Sequence, residues 1–178
     1  MHGLVLSAAM IDPRSNIVLI GMPGAGKSTI GVILAKRAML QFVDTDLLLQ
    51  LSRKRTLQDI VDREGYRFLR QVEEEVLLGL TVRNSVIATG GSAVYSDRGM
   101  AHLKSDGAVV YLQVDLPVLE SRVHDYVTRG LAKRPEQDFA DLFRERTELY
   151  EKYAEFTIKN NDMTHEEVCG QIMALTRR

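Results

Sequence analysis

The feature that most constrains this chain is a glycine-rich stretch at residues 21–28 with the pattern G-x-x-x-x-G-K-S. An apolar run at 17–20 precedes it, and a helical pattern follows it. A buried strand, a tight turn and a helix in this order are the context in which the pattern forms a phosphate-binding loop, or P-loop. Its glycines let backbone N–H groups converge on an anion, and the helix dipole adds positive potential. The stretch therefore predicts nucleotide binding.

The P-loop pattern assigns a role to each of its polar residues. Lys27 is placed to reach the β- and γ-phosphates of ATP, and the Ser28 hydroxyl is placed to join the shell of a Mg²⁺ ion. The alternative, a plain strand-turn-helix connection, needs neither three glycines nor a Lys-Ser pair at this spacing. The other predicted nucleotide contacts are Gly24, Ala25, Gly26 and Thr29.

Apolar runs alternate with helical patterns along the rest of the chain, which is typical of a parallel α/β sheet. We predict a three-layer P-loop kinase fold, in which helices flank a five-stranded parallel sheet on both faces. Residues 13–178 are predicted to form a single domain, with residues 1–12 as an N-terminal extension. The apolar pattern lapses at about 128–138, which is interpreted as a surface loop or lid. The five predicted strands are 17–20, 41–43, 86–88, 108–114 and 156–158. Helices are predicted at 29–38 and 47–51, and Thr56 is predicted to cap a further helix that Gly65 breaks.

Bulk properties narrow the possible partners. The formal net charge of −1 offers no general attraction to nucleic acid or to an anionic membrane. No run approaches the length of a membrane span, and the one cysteine, Cys169, lies in an apolar helical pattern. We expect a cytoplasmic monomer whose partner is a small-molecule substrate.

Polar residues follow two of the predicted strands at the edge of the sheet where ligands bind in such folds. Asp44 and Asp46 follow the second strand, and Gly90, Gly91 and Ser92 follow the third. One carboxylate is suited to hold Mg²⁺ through water, and the other to accept a proton from an attacking hydroxyl. The alternative is that both aspartates only cap a helix.

These residues together resemble the shikimate kinase family of small P-loop metabolite kinases, from about residue 17 to the end of the chain. No single part besides the P-loop is specific, whereas their order and spacing are. The parts are the P-loop, Asp44-Thr-Asp46, Arg70-Gln-Val-Glu73, the run at 88–92, a lid arginine and Arg146-Thr-Glu-Leu-Tyr150.

The resemblance implies roles on the acceptor side of the site. Asp46 corresponds to the carboxylate that binds the substrate hydroxyls and acts as the base. Arg70 and Arg146 correspond to a pair that clamps the substrate carboxylate, which suits the planar fork of arginine. Glu73 is expected to orient Arg70 from the same helix face. Substrate is also expected to meet backbone donors of Gly90 and Gly91, and Ser92.

The resemblance also implies roles on the nucleotide side. Asp44 corresponds to the acid near Mg²⁺. Arg122 corresponds to an arginine that packs on the adenine ring. Arg129 corresponds to the lid arginine that reaches over the phosphates, although Arg134 offers a competing alignment.

The chain departs from the family pattern at three places. Leu69 stands where phenylalanine is usual, Ser92 stands at the third position of a Gly-Gly-Gly turn, and Gly130 stands where proline commonly follows the lid arginine. A serine at Ser92 would be disfavoured if that position needs a positive φ. The hypothesis is ATP-dependent phosphorylation of shikimate to shikimate 3-phosphate. The alternatives are a kinase of another hydroxy acid or sugar acid such as gluconate, and a regulator that binds nucleotide without catalysis.

Overall fold

Five parallel strands form the centre of the computed structural model, which describes residues 14–122 and 130–177. Their order across the sheet is β2-β3-β1-β4-β5, so the chain crosses over between strands that are not neighbours. This confirms the predicted five-stranded parallel sheet. The strands are β1 (Asn16–Ile20), β2 (Gln41–Asp44), β3 (Ser85–Ala88), β4 (Gly107–Gln113) and β5 (Phe156–Lys159).

Helices flank the sheet and connect its strands. Helix α1 packs against α7, while α3 packs against α2 and α4. Within the described ranges, none of them combines the length and apolar content needed to cross a membrane. The helices are α1 (Lys27–Ala38), α2 (Thr45–Arg53), α3 (Leu57–Leu78), α4 (Asp97–Asp106), α5 (Leu116–Arg122), α6 (Phe139–Tyr153) and α7 (His165–Thr176).

Strand β1 is the middle strand of the sheet, and its apolar residues suit burial on both faces. All five of its residues are buried, and it pairs with β3 on one side and β4 on the other. Val18 lies opposite Ile87 and Val109 in that register. A strand covered on both faces reads as a continuous apolar run, as this one does. The P-loop therefore begins at the end of the central, fully buried strand of the sheet.

Helix α3 shows how local signals shape the acceptor side. Thr56 accepts a hydrogen bond from the Asp59 N–H at 3.1 Å and so caps the helix, as predicted. Gly65 has φ 85° and ψ 167°, which is not helical, so α3 bends there. The predicted break is confirmed as a kink inside one helical segment. A small apolar cluster beneath this helix contains Leu49, Ile60, Leu69, Val72 and Ala132.

Two helices begin earlier than the apolar pattern predicts. Helix α1 starts at Lys27 because the P-loop winds directly into it, and α2 starts at Thr45 because Asp44 caps it. The predicted extension at 1–12 and part of the predicted lid lie outside the described residues.

Candidate active site

A cleft of about 720 Å³ opens at the carboxyl ends of the strands. Parts of the P-loop, α2, α3 and the turn after β3 line it, together with residues 130–132. Ten of the predicted site residues line this cleft. They are Gly24, Gly26, Lys27, Ser28, Thr29, Asp46, Gly91, Ser92, Arg122 and Arg146.

The P-loop adopts the backbone that its glycines permit. Gly24 and Gly26 have φ values of 85° and 88°, in the region that other residues adopt at a cost. The Lys27 ammonium donates to the carbonyl oxygens of Gly21 at 2.7 Å and Met22 at 3.0 Å. Burial lowers the pKa of Lys27 to about 8. The lysine is therefore folded onto the loop that a phosphate would enter.

Asp44 both caps a helix and contacts the P-loop. Its Oδ1 accepts the Leu47 N–H at 3.2 Å, and its Oδ2 accepts the Ser28 hydroxyl at 2.7 Å. The capping alternative is thus correct for Asp44, without excluding a role in the site. No cluster of three or more His, Cys, Asp or Glu side chains occurs in the described part of the chain. Two neighbouring oxygen ligands fit Mg²⁺, which keeps waters and phosphate oxygens as its other ligands.

Asp46 and Glu73 approach the same glycine. A Cβ on Gly90 would collide with Oδ1 of Asp46 and with Oε1 of Glu73, so a larger residue there would displace these carboxyl groups. Burial raises the pKa of Asp46, although the nearby Lys27 ammonium lowers it. Burial raises the pKa of Glu73 to about 7, and the charge of Asp46 adds to the rise. The site thus holds two carboxyl groups that resist being ionised together.

The N–H of Gly90, a predicted substrate contact, has a hydrogen-bond partner within the protein. That N–H donates to the Thr45 hydroxyl at 2.9 Å, which joins the turn after β3 to the start of α2. Thr45 is 1% exposed, and sequence reasoning missed it. The available signal was a hydroxyl between two aspartates at a strand end.

Ser92 binds Glu73. Its φ is −99°, so the position does not need a positive φ and accepts serine without backbone strain. The hydroxyl is buried and donates to Oε2 of Glu73, whose Oε1 has no hydrogen-bond partner in the described residues. The hydroxyl of Ser92, a residue predicted to contact substrate, is thus hydrogen-bonded to Glu73 in the structure.

The two predicted clamp arginines converge on one oxygen. Arg70 and Arg146 each donate an Nη2 to the Ala132 carbonyl, at 3.0 Å and 3.2 Å. Arg146 is 1% exposed and lines the cleft, whereas Arg70 is half-buried and joins the cleft through Ala132. Among the described residues Arg70 makes no hydrogen bond to Glu73, and the two side chains interact through their charges. Arg70 stacks instead on Tyr95, with its Cζ 3.4 Å from the ring centroid.

On the nucleotide side, Arg122 is held at the cleft by the β5–α7 loop. Its Nη2 donates to the carbonyls of Asn160 at 3.2 Å and Asn161 at 3.0 Å. The Asn160 side chain donates to the Ala25 carbonyl at 3.0 Å, so Ala25 contacts this loop through its backbone. Sequence reasoning missed Asn160, for which no motif gave a signal.

Two arginines, Arg129 and Arg134, are candidates for the lid arginine. Arg129 lies outside the described residues. Arg134 forms ion pairs with Glu145 at 3.0 Å and Glu136 at 3.4 Å, and it does not line the cleft. The described lid residues begin at Gly130, whose N–H donates to Gln58 at 2.7 Å.

Comparison with known proteins gives one consistent family. The family model described as shikimate kinase matches residues 23–177. A shikimate kinase of Thermodesulfovibrio yellowstonii is 35% identical over 161 residues, which are 89% of this chain and 92% of that protein. A solved shikimate kinase from Acinetobacter baumannii in complex with shikimate is 30% identical, with a TM-score of 0.81 over 91% of this chain and 92% of that one.

The chain belongs to the shikimate kinase family.

A second solved shikimate kinase, from Aquifex aeolicus, is 32% identical, with a TM-score of 0.76 over 89% of this chain and 94% of that one. The predicted family, fold class and enzyme class are thereby confirmed: the chain is a P-loop kinase, and the family uses ATP as its phosphate donor. A gluconokinase from Sinorhizobium meliloti is similar at 19% identity and a TM-score of 0.54 over 93% of each chain. That likeness shows a shared fold alone, so it does not favour gluconate.

Proposed function

We propose that this member of the shikimate kinase family transfers the γ-phosphoryl group of ATP to shikimate, giving shikimate 3-phosphate and ADP. One observation carries the choice of acceptor. Two arginines converge on a single carbonyl oxygen beside a P-loop cleft. The Ala132 oxygen takes the kind of position that a carboxylate oxygen would take between two guanidinium groups. An acceptor that carries a carboxylate and several hydroxyls suits this arrangement.

The nucleotide half of the proposal rests on the P-loop. The N–H groups of residues 24–29 and the Lys27 ammonium bind the phosphates, and Arg122 borders the adenine. Ser28 and Asp44 would hold Mg²⁺, since their oxygens already lie 2.7 Å apart. When bound, Mg²⁺ would neutralise charge on the phosphate oxygens. Arg129, if placed as the resemblance implies, adds positive charge over the transferring group.

The acceptor half rests on Asp46. Its carboxylate lines the cleft within electrostatic reach of Lys27. It orients the attacking hydroxyl and takes its proton as the oxygen attacks in line with the γ-phosphate. Burial raises the pKa of Asp46, which brings its basicity closer to what proton transfer near neutral pH requires.

Ser92 gives no reason to move to another hydroxy acid. Its hydroxyl is engaged by Glu73, so it leaves no new polar group for a different acceptor. A regulator without catalysis is disfavoured, because the residues proposed to bind phosphate, hold Mg²⁺ and accept the proton are all present. They are Lys27, Ser28, Asp44 and Asp46. We further propose that the protein binds no nucleic acid, because its net charge is near zero. That it is a cytoplasmic monomer stays a prediction from the sequence.

A transfer assay with purified protein tests the proposal. ADP release with Mg²⁺ and ATP is measured with shikimate, quinate and gluconate as acceptors, and the product is located by phosphorus and proton NMR. We expect shikimate to be preferred, with phosphate on its 3-hydroxyl, and Lys27→Ala to abolish transfer. Preference for gluconate or quinate would replace the acceptor. ADP release that is independent of all three acids would overturn the proposal.

A further inference from the structure

Tyr95 lies between the two arginines and the base of the lid. It ends a short 3₁₀ turn, Ala93–Tyr95, which follows directly on the Gly90–Gly91 turn. The Cζ of Arg70 lies 3.4 Å from its ring centroid, and the Cζ of Arg146 lies 5.5 Å from it. No motif of the sequence singled this residue out. One aromatic ring thus contacts both halves of the arginine pair.

The Tyr95 ring contacts Arg70, which forms no ion pair with a carboxylate among the described residues. Arg70 has one described hydrogen-bond partner, the Ala132 carbonyl, and its buried Nε has none. A guanidinium is attracted to the face of an aromatic ring. A guanidinium stacked in this way keeps its N–H groups in their own plane, directed away from the ring. The stack therefore fixes Arg70 with its N–H groups directed away from the ring. One of them donates to the Ala132 carbonyl, at the position proposed for a carboxylate oxygen.

The edge of the ring is fixed by a second set of contacts. The Tyr95 hydroxyl donates to Oε1 of Glu145 at 2.5 Å. Oε2 of Glu145 accepts from Gln137 at 2.9 Å and pairs with Arg134 at 3.0 Å. Gln137 and Arg134 belong to the predicted lid segment. Helix α6 and the lid base together hold the ring against Arg70.

We propose that Tyr95 is a positioning residue that sets Arg70 and Arg146 for the carboxylate of the acceptor. This inference rests on the proposed function, because it assumes that the arginines bind an acceptor carboxylate. A second ring, that of Tyr66, lies 5.1 Å from the Cζ of Arg70. Since Tyr95 is much closer and also contacts Arg146, it carries the larger share of the positioning.

The test compares Tyr95→Leu and Tyr95→Phe with the wild type. For each, kcat and KM are measured for ATP, for shikimate and for an analogue in which a hydroxymethyl group replaces the carboxylate. Tyr153→Leu is the matched control, because Tyr153 also contacts a cation, Lys152, at 4.7 Å but lies outside the cleft. Tyr95→Met replaces the leucine variant if urea unfolding shows that the latter does not fold.

We expect Tyr95→Leu to raise the KM for shikimate about tenfold, as loss of a partly buried cation–π contact implies, with little change in the KM for ATP. Tyr95→Phe keeps the ring and should restore most of the difference. The penalty should vanish with the hydroxymethyl analogue. An equal penalty on both acceptors, or a phenylalanine variant as poor as the leucine variant, would overturn the positioning role. A wild type that does not prefer the acid over the analogue would instead overturn the proposed clamp.

Discussion

At the scale of single residues, the burial of carboxyl groups determines how the acceptor side of the site is charged. Glu73 is 4% exposed and shares the approach to Gly90 with Asp46. Its Oε1 has no hydrogen-bond partner among the described residues, so its charge is stabilised by the Ser92 hydroxyl and by more distant cations. A carboxylate in such surroundings favours its protonated form.

This predicts a pH dependence of stability. The folded protein keeps a proton on Glu73 up to about pH 7, whereas the unfolded chain loses it near 4.5. The free energy of unfolding should therefore fall as pH rises between these values. Glu73→Gln removes that titration, so its stability relative to the wild type should rise by at least about 1 kcal/mol from pH 5 to pH 8.

Urea unfolding at pH 5, 6, 7 and 8 checks the Glu73 prediction. Glu75→Gln is the matched control for removing one carboxylate from the same helix, because Glu75 is exposed and pairs with Arg53. A constant difference between Glu73→Gln and the wild type over this range would contradict the prediction.

Ser92 is the hydrogen-bond donor to Glu73. Ser92→Ala should destabilise the protein by about 1–3 kcal/mol, because it leaves Oε2 of a buried carboxylate without its donor. The loss should be larger at pH 8, where Glu73 is ionised, than at pH 5. Denaturant unfolding at the two pH values measures it, and Ser105→Ala, at an exposed serine, is the control. Equal stability of Ser92→Ala and the wild type at pH 8 would show that this hydrogen bond contributes nothing.

At the scale of elements, the base of the lid is seated on α3 and on the arginine pair. Gly130 has φ 60°, a conformation closed to proline, whose ring fixes φ near −65°. This explains why the proline common in the family cannot stand here with the lid in this position. A Cβ on Gly130 would also collide with the backbone of Leu57 and Gln58.

Gly130→Ala should therefore displace the lid base. We expect kcat/KM for shikimate to fall about tenfold or more, because closure of the lid and the Ala132 contacts depend on the position of Gly130 against α3. The dissociation constant for ATP alone should hardly change. Steady-state kinetics and calorimetry measure both. Gly170→Ala is the matched control, since a Cβ there meets nothing within 4 Å. Equal kcat/KM values for the two variants would contradict the role given to the contact between Gly130 and α3.

At the scale of the whole molecule, the sequence predicted what local patterns encode. The continuous apolar runs of β1 and β4 predicted buried parallel strands, and the P-loop predicted the edge of the sheet at which the cleft opens. Thr56 and Gly65 predicted the start and the bend of α3, because capping and helix breaking depend on near neighbours. The arginine pair followed from resemblance to a known family.

The contacts that the sequence did not predict join residues that are far apart in the chain, so no pattern of sequence spacing indicates them. Thr45 meets Gly90, Asn160 meets Ala25, and Tyr95 meets Arg70 only after the sheet has formed. Glu73 was assigned to Arg70 because they are neighbours on one helix, but its hydrogen bond comes from Ser92 in another segment. Tertiary contact overrides helical proximity in this case.

The convergence of Arg70 and Arg146 on a carboxylate is the central claim, and steady-state kinetics of Arg70→Ala test it most directly. Arg67→Ala, at an exposed arginine one turn earlier on α3, is the matched control. Arg70→Ala should raise the KM for shikimate at least about tenfold and leave the KM for ATP within about twofold, because a lost bidentate charge contact acts on the acceptor alone. Equal changes in both KM values, or a variant indistinguishable from Arg67→Ala, would contradict the clamp.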